Sequence, residues 1–196
     1  MKTTITPARS AVEAAASEMG ALPEWNLADL YPAMDSPQLV ADLDEALWDA
    51  HFAVHAEAPA FLARDFAAQL PDAADGNIVN IVDARVLDLT PAHFSYTASK
   101  AALWALTRTL AQSLAPRIRV NAIGPGPTVP PPSAPAGWFE QRSAELPLGR
   151  AADANDIADG VIHIVAMRAM TGQMIALDGG EHLGWAQPDS GSSTRN

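Results

Sequence analysis

A tyrosine and a lysine four positions apart, Tyr96 and Lys100, are the residues of this sequence best suited to acid–base chemistry. Positions four apart lie on one face of an α-helix, so the phenol and the ammonium group can interact. A neighbouring ammonium favours the phenolate, which is expected to lower the phenol pKa from about 10 toward neutral pH. Tyr96 is then a candidate proton donor to a carbonyl oxygen or imine nitrogen that receives a hydride. Taken alone, the same pair is more often a solvated helix face.

A second pair of polar side chains, His51 and His55, has the spacing of two metal ligands on one helix face. The glutamate of a His-Glu-x-x-His site is missing, and no third ligand is evident, so we expect no metal site. The chain has no cysteine, which excludes disulfides and thiolate metal sites within it. The formal net charge of −11 argues against nucleic acid as a partner.

Targeting and membrane signals are absent from the sequence. No stretch approaches the roughly 18 apolar residues of a membrane span, and no apolar signal region follows the first residues. Together with the lack of cysteine, this predicts a cytoplasmic protein without a membrane partner.

The elements that must position these side chains alternate between strand and helix. Runs rich in β-branched or apolar residues predict strands at Asn77–Val82, Arg117–Ile123 and Met174–Leu177. Apolar residues at helical spacing predict helices at Ala8–Met19, Gln38–Gln69 (capped by Ser36-Pro37 and kinked or split at Pro59), Ser95–Leu114, Trp138–Ala144 and Ala154–Ala169. This order predicts a parallel sheet with right-handed crossovers, which would place both connecting helices on one face.

The sequence around these elements resembles the short-chain dehydrogenase/reductase family. The resemblance is carried by Ser95 to Leu103, Leu114 to Gly126, Leu148-Gly149-Arg150, Asp156-Ile157-Ala158, Thr171-Gly172-Gln173 and Asp178-Gly179-Gly180, and it covers about residues 46–186. It implies a nicotinamide-dependent oxidoreductase that uses NADP or NAD and acts on a small carbonyl or pterin substrate. It also implies that Tyr96 is the acid and that Lys100 activates it and contacts the ribose.

Three other parts of the site follow from the same resemblance. Asp83 stands thirteen residues before Tyr96, where the family usually has serine, and this resembles pteridine and dihydromonapterin reductases, in which the carboxylate helps to protonate a pterin ring. The alternative for Asp83 is a cap at the end of a strand. His55 occupies the place of an asparagine that holds a water in the family's proton relay. The loop residues Pro125, Gly126 and Thr128 match the loop that lies against the nicotinamide, where glycine permits close backbone approach.

The family's Thr-Gly-x-x-x-Gly-x-Gly turn, which binds the cofactor pyrophosphate, is not found in these residues. Residues 22–37 instead resemble the N-terminus of oligoendopeptidase F-type peptidases, without the peptidase zinc motif. The predicted fold class is therefore α/β: a truncated Rossmann-like parallel sheet of about three strands with helices, lacking the N-terminal nucleotide-binding half.

The predicted organisation has three parts: a peptidase-leader-like segment over 1–45 that is not an independent domain, a partial reductase domain over 46–187, and a disordered tail over 188–196. Two functions follow, a reductase of weak or no activity and a non-catalytic dimerising module built on the same fold. A sheet with one bare face and one bare edge needs cover. We therefore expect a homodimer or higher homo-oligomer, with residues 1–37 folded over part of the sheet.

Overall fold

The computed structural model describes residues 37–90 and 92–184. The described residues from Val40 onward belong to one compact unit. The helix predicted at Ala8–Met19, nearly all of the peptidase-like segment and the predicted disordered tail lie outside the described residues. The predictions made for them stay predictions.

The long helical run before the first strand is divided into three helices. These are α1 (Pro37–Asp42), α2 (Glu45–Phe52) and α3 (Ala58–Gln69), with a π-helical turn at Ala53–Glu57 between the last two. Asp44 caps α2 by accepting a hydrogen bond from the Leu47 backbone N at 2.8 Å. Proline removes the N–H that would bond the carbonyl four residues earlier, and its ring crowds that carbonyl. For Pro59 that carbonyl belongs to His55, so the split expected at Pro59 takes the form of a wide turn just before it.

The sheet has the predicted parallel arrangement and the order β1-β2-β3. The strands are β1 (Gly76–Ile81), β2 (Ile118–Pro125) and β3 (Met174–Leu177), and the helices between them are α4 (Phe94–Ser113), α5 (Trp138–Glu145) and α6 (Ala154–Ala166). Short 3₁₀ turns span Ala84–Val86 and Glu181–Leu183. Predicted bounds agree within two residues, except that α6 ends three residues earlier than predicted.

The packing of β2 shows which face of the sheet α4 covers. Val120 shares a buried cluster with Ala111 of α4, and Ala122 shares another with Leu103 of α4. Because alternate residues of a strand point to opposite faces, the even-numbered side chains of β2 face α4.

The odd-numbered side chains of β2 face α6. A Cβ placed on Gly160 of α6 would lie 3.1 Å from Cδ1 of Ile123, and the Arg119 guanidinium bonds to carbonyl oxygens at the end of α6. The expectation that both connecting helices lie on the same face of the sheet is therefore wrong. Since the strand order runs in one direction, the two crossovers must have opposite handedness, and one departs from the usual right-handed rule. A parallel strand buried on both faces needs cover on both, and this arrangement provides it.

The edge of the sheet at β1 remains open within the described residues, where β1 pairs with β2 alone. The side chain of Ile81 is 44 % exposed there. None of the described helices is long and apolar enough to cross a membrane.

We predict that Arg119→Leu lowers the free energy of unfolding by about 2 kcal/mol or more. Its guanidinium donates to the carbonyl oxygens of Ile164, Val165, Met167 and Met170 at 3.3, 3.0, 2.9 and 3.1 Å, and the substitution leaves these acceptors without it. Denaturant unfolding measures the change, with Arg168→Leu as the control because Arg168 is exposed. Equal destabilisation by the two variants would contradict the prediction.

Candidate active site

The carboxyl ends of the three parallel strands meet at one edge of the sheet, where ligands bind in open α/β sheets. Asp83 follows β1, Gly126 follows β2 and Asp178 follows β3. A cavity of about 530 Å³ lies at this edge, with Asp83 and Gly126 in its wall. This volume is within the range of small-molecule sites.

Asp83 makes two hydrogen bonds with different partners. Its Oδ2 accepts from the Tyr96 hydroxyl at 2.7 Å, and its Oδ1 accepts from the Arg85 backbone N at 2.8 Å. The second bond caps the turn Ala84–Val86. The two interpretations of Asp83, as a strand-end cap and as the polar partner of Tyr96, therefore both describe it.

Lys100 approaches the tyrosine over its ring. Its Nζ donates to the carbonyl oxygen of Ile81 at 3.0 Å and lies 5.8 Å from the centre of the Tyr96 ring. Burial lowers the pKa of Lys100, and the negative charge of Asp83 opposes this effect. The ammonium is thus near the phenol without being the group that bonds its hydroxyl.

The pKa of Tyr96 shifts in the direction opposite to the one expected from the sequence. Burial raises it most, followed by the hydrogen bond to Asp83 and the negative charge of Asp83. The reason is that a carboxylate, rather than the ammonium of Lys100, bonds the hydroxyl. A pKa raised in the folded state stabilises the fold below pH 10, and this contribution is lost as the pH rises through the folded-state value.

His55 lies against Tyr96. The two rings meet edge to face with centres 5.4 Å apart, and His55 Nδ1 is 2.9 Å from Ser99 Oγ. Burial lowers the pKa of His55 most, and the charges of Lys100 and His51 lower it further. Among the described residues, no three or more histidine or acidic side chains are grouped so that they could hold a metal ion.

The loop after β2 is close to the end of β3. A Cβ on Gly126 would lie 2.7 Å from both Cα and Cβ of Asp178, so the close approach that requires glycine here is made by the protein itself. Thr128 Oγ1 donates to the Gly126 carbonyl oxygen at 3.0 Å, and Pro125 is the last residue of β2. The predicted contact of these residues with a nicotinamide stays a prediction.

Several cavity residues were not identified from the sequence. Trp138 and Arg142 of α5 line the cavity together with Glu181 and His182, which follow β3. Arg142 forms an ion pair with Glu181, and His182 Nδ1 is 2.6 Å from Asp178 Oδ2. The glycine pair after Asp178 indicates a turn that could carry side chains to this edge, whereas nothing in the sequence places α5 there.

Comparison with known proteins gives consistent relatives. The family model described as enoyl-(acyl carrier protein) reductase matches residues 25–182. Pteridine reductase 1 of Leishmania tarentolae is 36 % identical over 142 residues, 67 % of this chain and 49 % of that protein. The uncharacterized oxidoreductase YjdA of Bacillus subtilis is 32 % identical over 148 residues, 70 % of this chain and 57 % of that protein.

A solved structure extends the comparison to the fold. FolM alternative dihydrofolate reductase 1 from Brucella suis, in complex with NADP, has a TM-score of 0.72 and 55 % identity, over 75 % of this chain and 60 % of that chain. The present chain therefore spans about half to three-fifths of the length of these relatives.

We predict that Asp83→Asn lowers the phenol pKa of Tyr96 by about one unit or more, because it removes the charge that favours the protonated phenol. Replacing Tyr31 by phenylalanine leaves Tyr96 as the one tyrosine of the chain, so that ultraviolet absorbance of tyrosinate reports on it alone. Asp88→Asn is the control, since Asp88 also lines the cavity but is exposed. An equal shift in the two variants would show that Asp83 does not set this pKa.

Proposed function

Since the chain belongs to the short-chain dehydrogenase/reductase family, we propose that it carries the proton-donating part of a reductase site for a pterin-class substrate. The observation that carries the proposal is the 2.7 Å hydrogen bond from the Tyr96 hydroxyl to the Asp83 carboxylate. The names of two relatives, a pteridine reductase and a dihydrofolate reductase, support the substrate class.

The proton comes from Tyr96. Its raised pKa keeps the phenol protonated at neutral pH, so a proton is available to a ring nitrogen or carbonyl oxygen as the adjacent carbon receives a hydride. The phenolate left behind lies beside Lys100, whose positive charge favours it. The Asp83 carboxylate accepts hydrogen bonds, so it can orient the N–H groups of a pterin ring.

NADP is the cofactor we propose, and the described residues offer groups for its nicotinamide end. Bound NADPH would supply the hydride. Tyr96 and Lys100 offer polar atoms to the ribose, and the backbone at Gly126 offers a surface to the nicotinamide. These residues fit that end, whereas no glycine-rich turn within this sequence provides N–H groups for the pyrophosphate.

The wall of the cavity supports a flat, polar substrate. Trp138 offers an apolar aromatic surface, and Arg85 offers donors two residues beyond Asp83. A heteroaromatic ring of the pterin class combines a flat π-surface with N–H donors and carbonyl acceptors, which matches these groups.

A second candidate function is a non-catalytic module that associates through α2, the π-turn and α3. Large apolar side chains on these elements are exposed by 43–69 %, namely Leu47, Val54, Phe61 and Leu62. Grouped exposed apolar side chains often mark association surfaces. A homodimer formed through these helices is compatible with either function, and absence of turnover in a stable dimer would favour the second. A cytoplasmic location stays a prediction.

We predict that the 196-residue chain binds NADPH with a dissociation constant above about 100 µM, a binding free energy near −5.5 kcal/mol. The expected weakness follows from the missing turn for the pyrophosphate. Titration calorimetry measures the affinity, and the five tryptophans provide a second signal through fluorescence quenching. Micromolar binding would show that other residues of the chain hold the phosphates.

We predict that Tyr96→Phe reduces any NADPH-dependent reduction of dihydropterin or dihydrofolate by at least about 100-fold, because it removes the general acid. Oxidation of NADPH at saturating concentration is followed by absorbance. Tyr31→Phe makes the same chemical change elsewhere in the chain and is the control. Activity retained within twofold in the Tyr96 variant would remove Tyr96 from the mechanism.

A further inference from the structure

Two histidines, one on α2 and one in the π-turn, form a ladder with two serines of α4. His51 Nδ1 lies 2.9 Å from Ser95 Oγ, and His55 Nδ1 lies 2.9 Å from Ser99 Oγ. The two imidazole rings stack with centres 5.6 Å apart and planes inclined by 13°. Ser95 and Ser99 are 2 % and 0 % exposed, so each histidine reaches a hydroxyl shielded from water.

A π-helical turn carries His55 between α2 and α3, and it is closed by the bond from the Ala58 backbone N to the Ala53 carbonyl oxygen. The rings of His51, at the end of α2, and of His55, in this turn, stack while both reach serines that are four apart on α4. Pro59 lacks the N–H that would bond the His55 carbonyl oxygen, which accounts for a turn at this place.

The hydrogen bonds of Ser99 determine the tautomer of His55. The Ser99 hydroxyl donates its one proton to the carbonyl oxygen of Tyr96 at 2.8 Å. It can therefore only accept from His55, which places the imidazole proton on Nδ1. In the neutral ring, Nε2 then carries a lone pair and acts as an acceptor.

The ladder also confines the ring of Tyr96. Both imidazoles meet it edge to face, with centres 5.7 Å away for His51 and 5.4 Å away for His55. The Tyr96 hydroxyl bonds Asp83. The phenol therefore contacts two imidazoles, each bonded to a buried serine, as well as the carboxylate.

From this geometry we propose that the ladder of His51, His55, Ser95 and Ser99 is a positioning device, which aims the Tyr96 hydroxyl at Asp83 and holds His55 as a neutral Nε2 acceptor. The proposal rests on the proposed function only for its effect on turnover. The ladder itself can be tested without turnover, so the two can fail separately.

The charged groups around His55 make the device sensitive to acid. It faces His51 on α2, Lys100 and Tyr96 on α4, and Asp83 at the end of β1. The charges of Lys100 and His51 oppose protonation of the neutral His55 ring. Burial opposes this protonation more strongly than the Asp83 carboxylate favours it. Because the pKa of His55 is lowered from 6.5 in the folded state, stability falls as the pH drops below 6.5 through the folded-state value.

The first test is the tautomer itself, read from long-range nitrogen–proton NMR correlations of the histidine rings. The chain has five histidines, so single substitutions assign the signals. We expect His55 to be neutral at pH 7.5 with its proton on Nδ1, and Ser99→Ala to shift the population toward Nε2. An Nε2-protonated ring that does not respond to Ser99→Ala would overturn the proposal.

The second test reads the effect on the phenol in the Tyr31→Phe background. We expect His51→Ala to lower the pKa of Tyr96 by about one unit, because water reaches the ring edge and burial is what raises this pKa most. His51→Phe keeps a ring without the bond to Ser95, and it should restore part of the shift. His163→Ala on α6, where the side chain is exposed, should leave the pKa unchanged. If His51→Ala leaves it unchanged in a folded protein, the positioning role is refuted.

The third test uses turnover where it is detected. His55→Asn keeps a hydrogen-bonding side chain that does not titrate between pH 5 and 8. The loss of kcat between neutral pH and pH 5.5 should therefore be at least threefold smaller in this variant than in the parent. An unchanged pH profile in this variant would contradict the role of His55. If the NMR test gives the expected tautomer of His55 but no turnover is detected, the result counts against the proposed function alone.

Discussion

The hydrogen bond between Tyr96 and Asp83 joins the first turn of α4 to the segment that follows β1, close to the bond from Lys100 Nζ to the Ile81 carbonyl oxygen. The bond to Asp83 can form only if α4 packs at the position along the strands that brings Tyr96 to Asp83. The buried contacts of Leu103 with Ala122 and of Ala111 with Val120 fix that position. The apolar packing of α4 on β2 thus determines where the phenol meets the carboxylate.

The groups around this bond share one physical tendency. Burial raises the pKa of Tyr96 and lowers the pKa values of Lys100 and His55, so each is moved toward its uncharged form. A site with this tendency stores its proton on the phenol. This differs from the picture of a phenolate stabilised by a neighbouring ammonium, because burial and the Asp83 carboxylate both favour the protonated phenol.

The strands and helices and the residues of the site could be predicted from the sequence, but the local geometry of the chain around them could not. Strong periodicity and β-branched runs predicted the three strands and α4 within two residues. The family resemblance selected Asp83 and Tyr96, whose side chains are hydrogen-bonded in the structure. The π-turn before Pro59 depends on how the chain relieves one carbonyl, which residue spacing does not reveal. The opposite placement of α4 and α6 depends on what covers both faces of β2, so local pattern and the handedness rule predicted it wrongly.

The anchoring of Arg119 has a consequence for how the fold opens. Its side chain leaves the middle strand and bonds four carbonyl oxygens beyond the sheet, at the end of α6 and in the segment that leads to β3. Detaching that segment would break all four of these hydrogen bonds of the guanidinium at once. The second crossover should therefore exchange its amide hydrogens together with β2 as one cooperative unit, rather than fray from the carboxyl-terminal side.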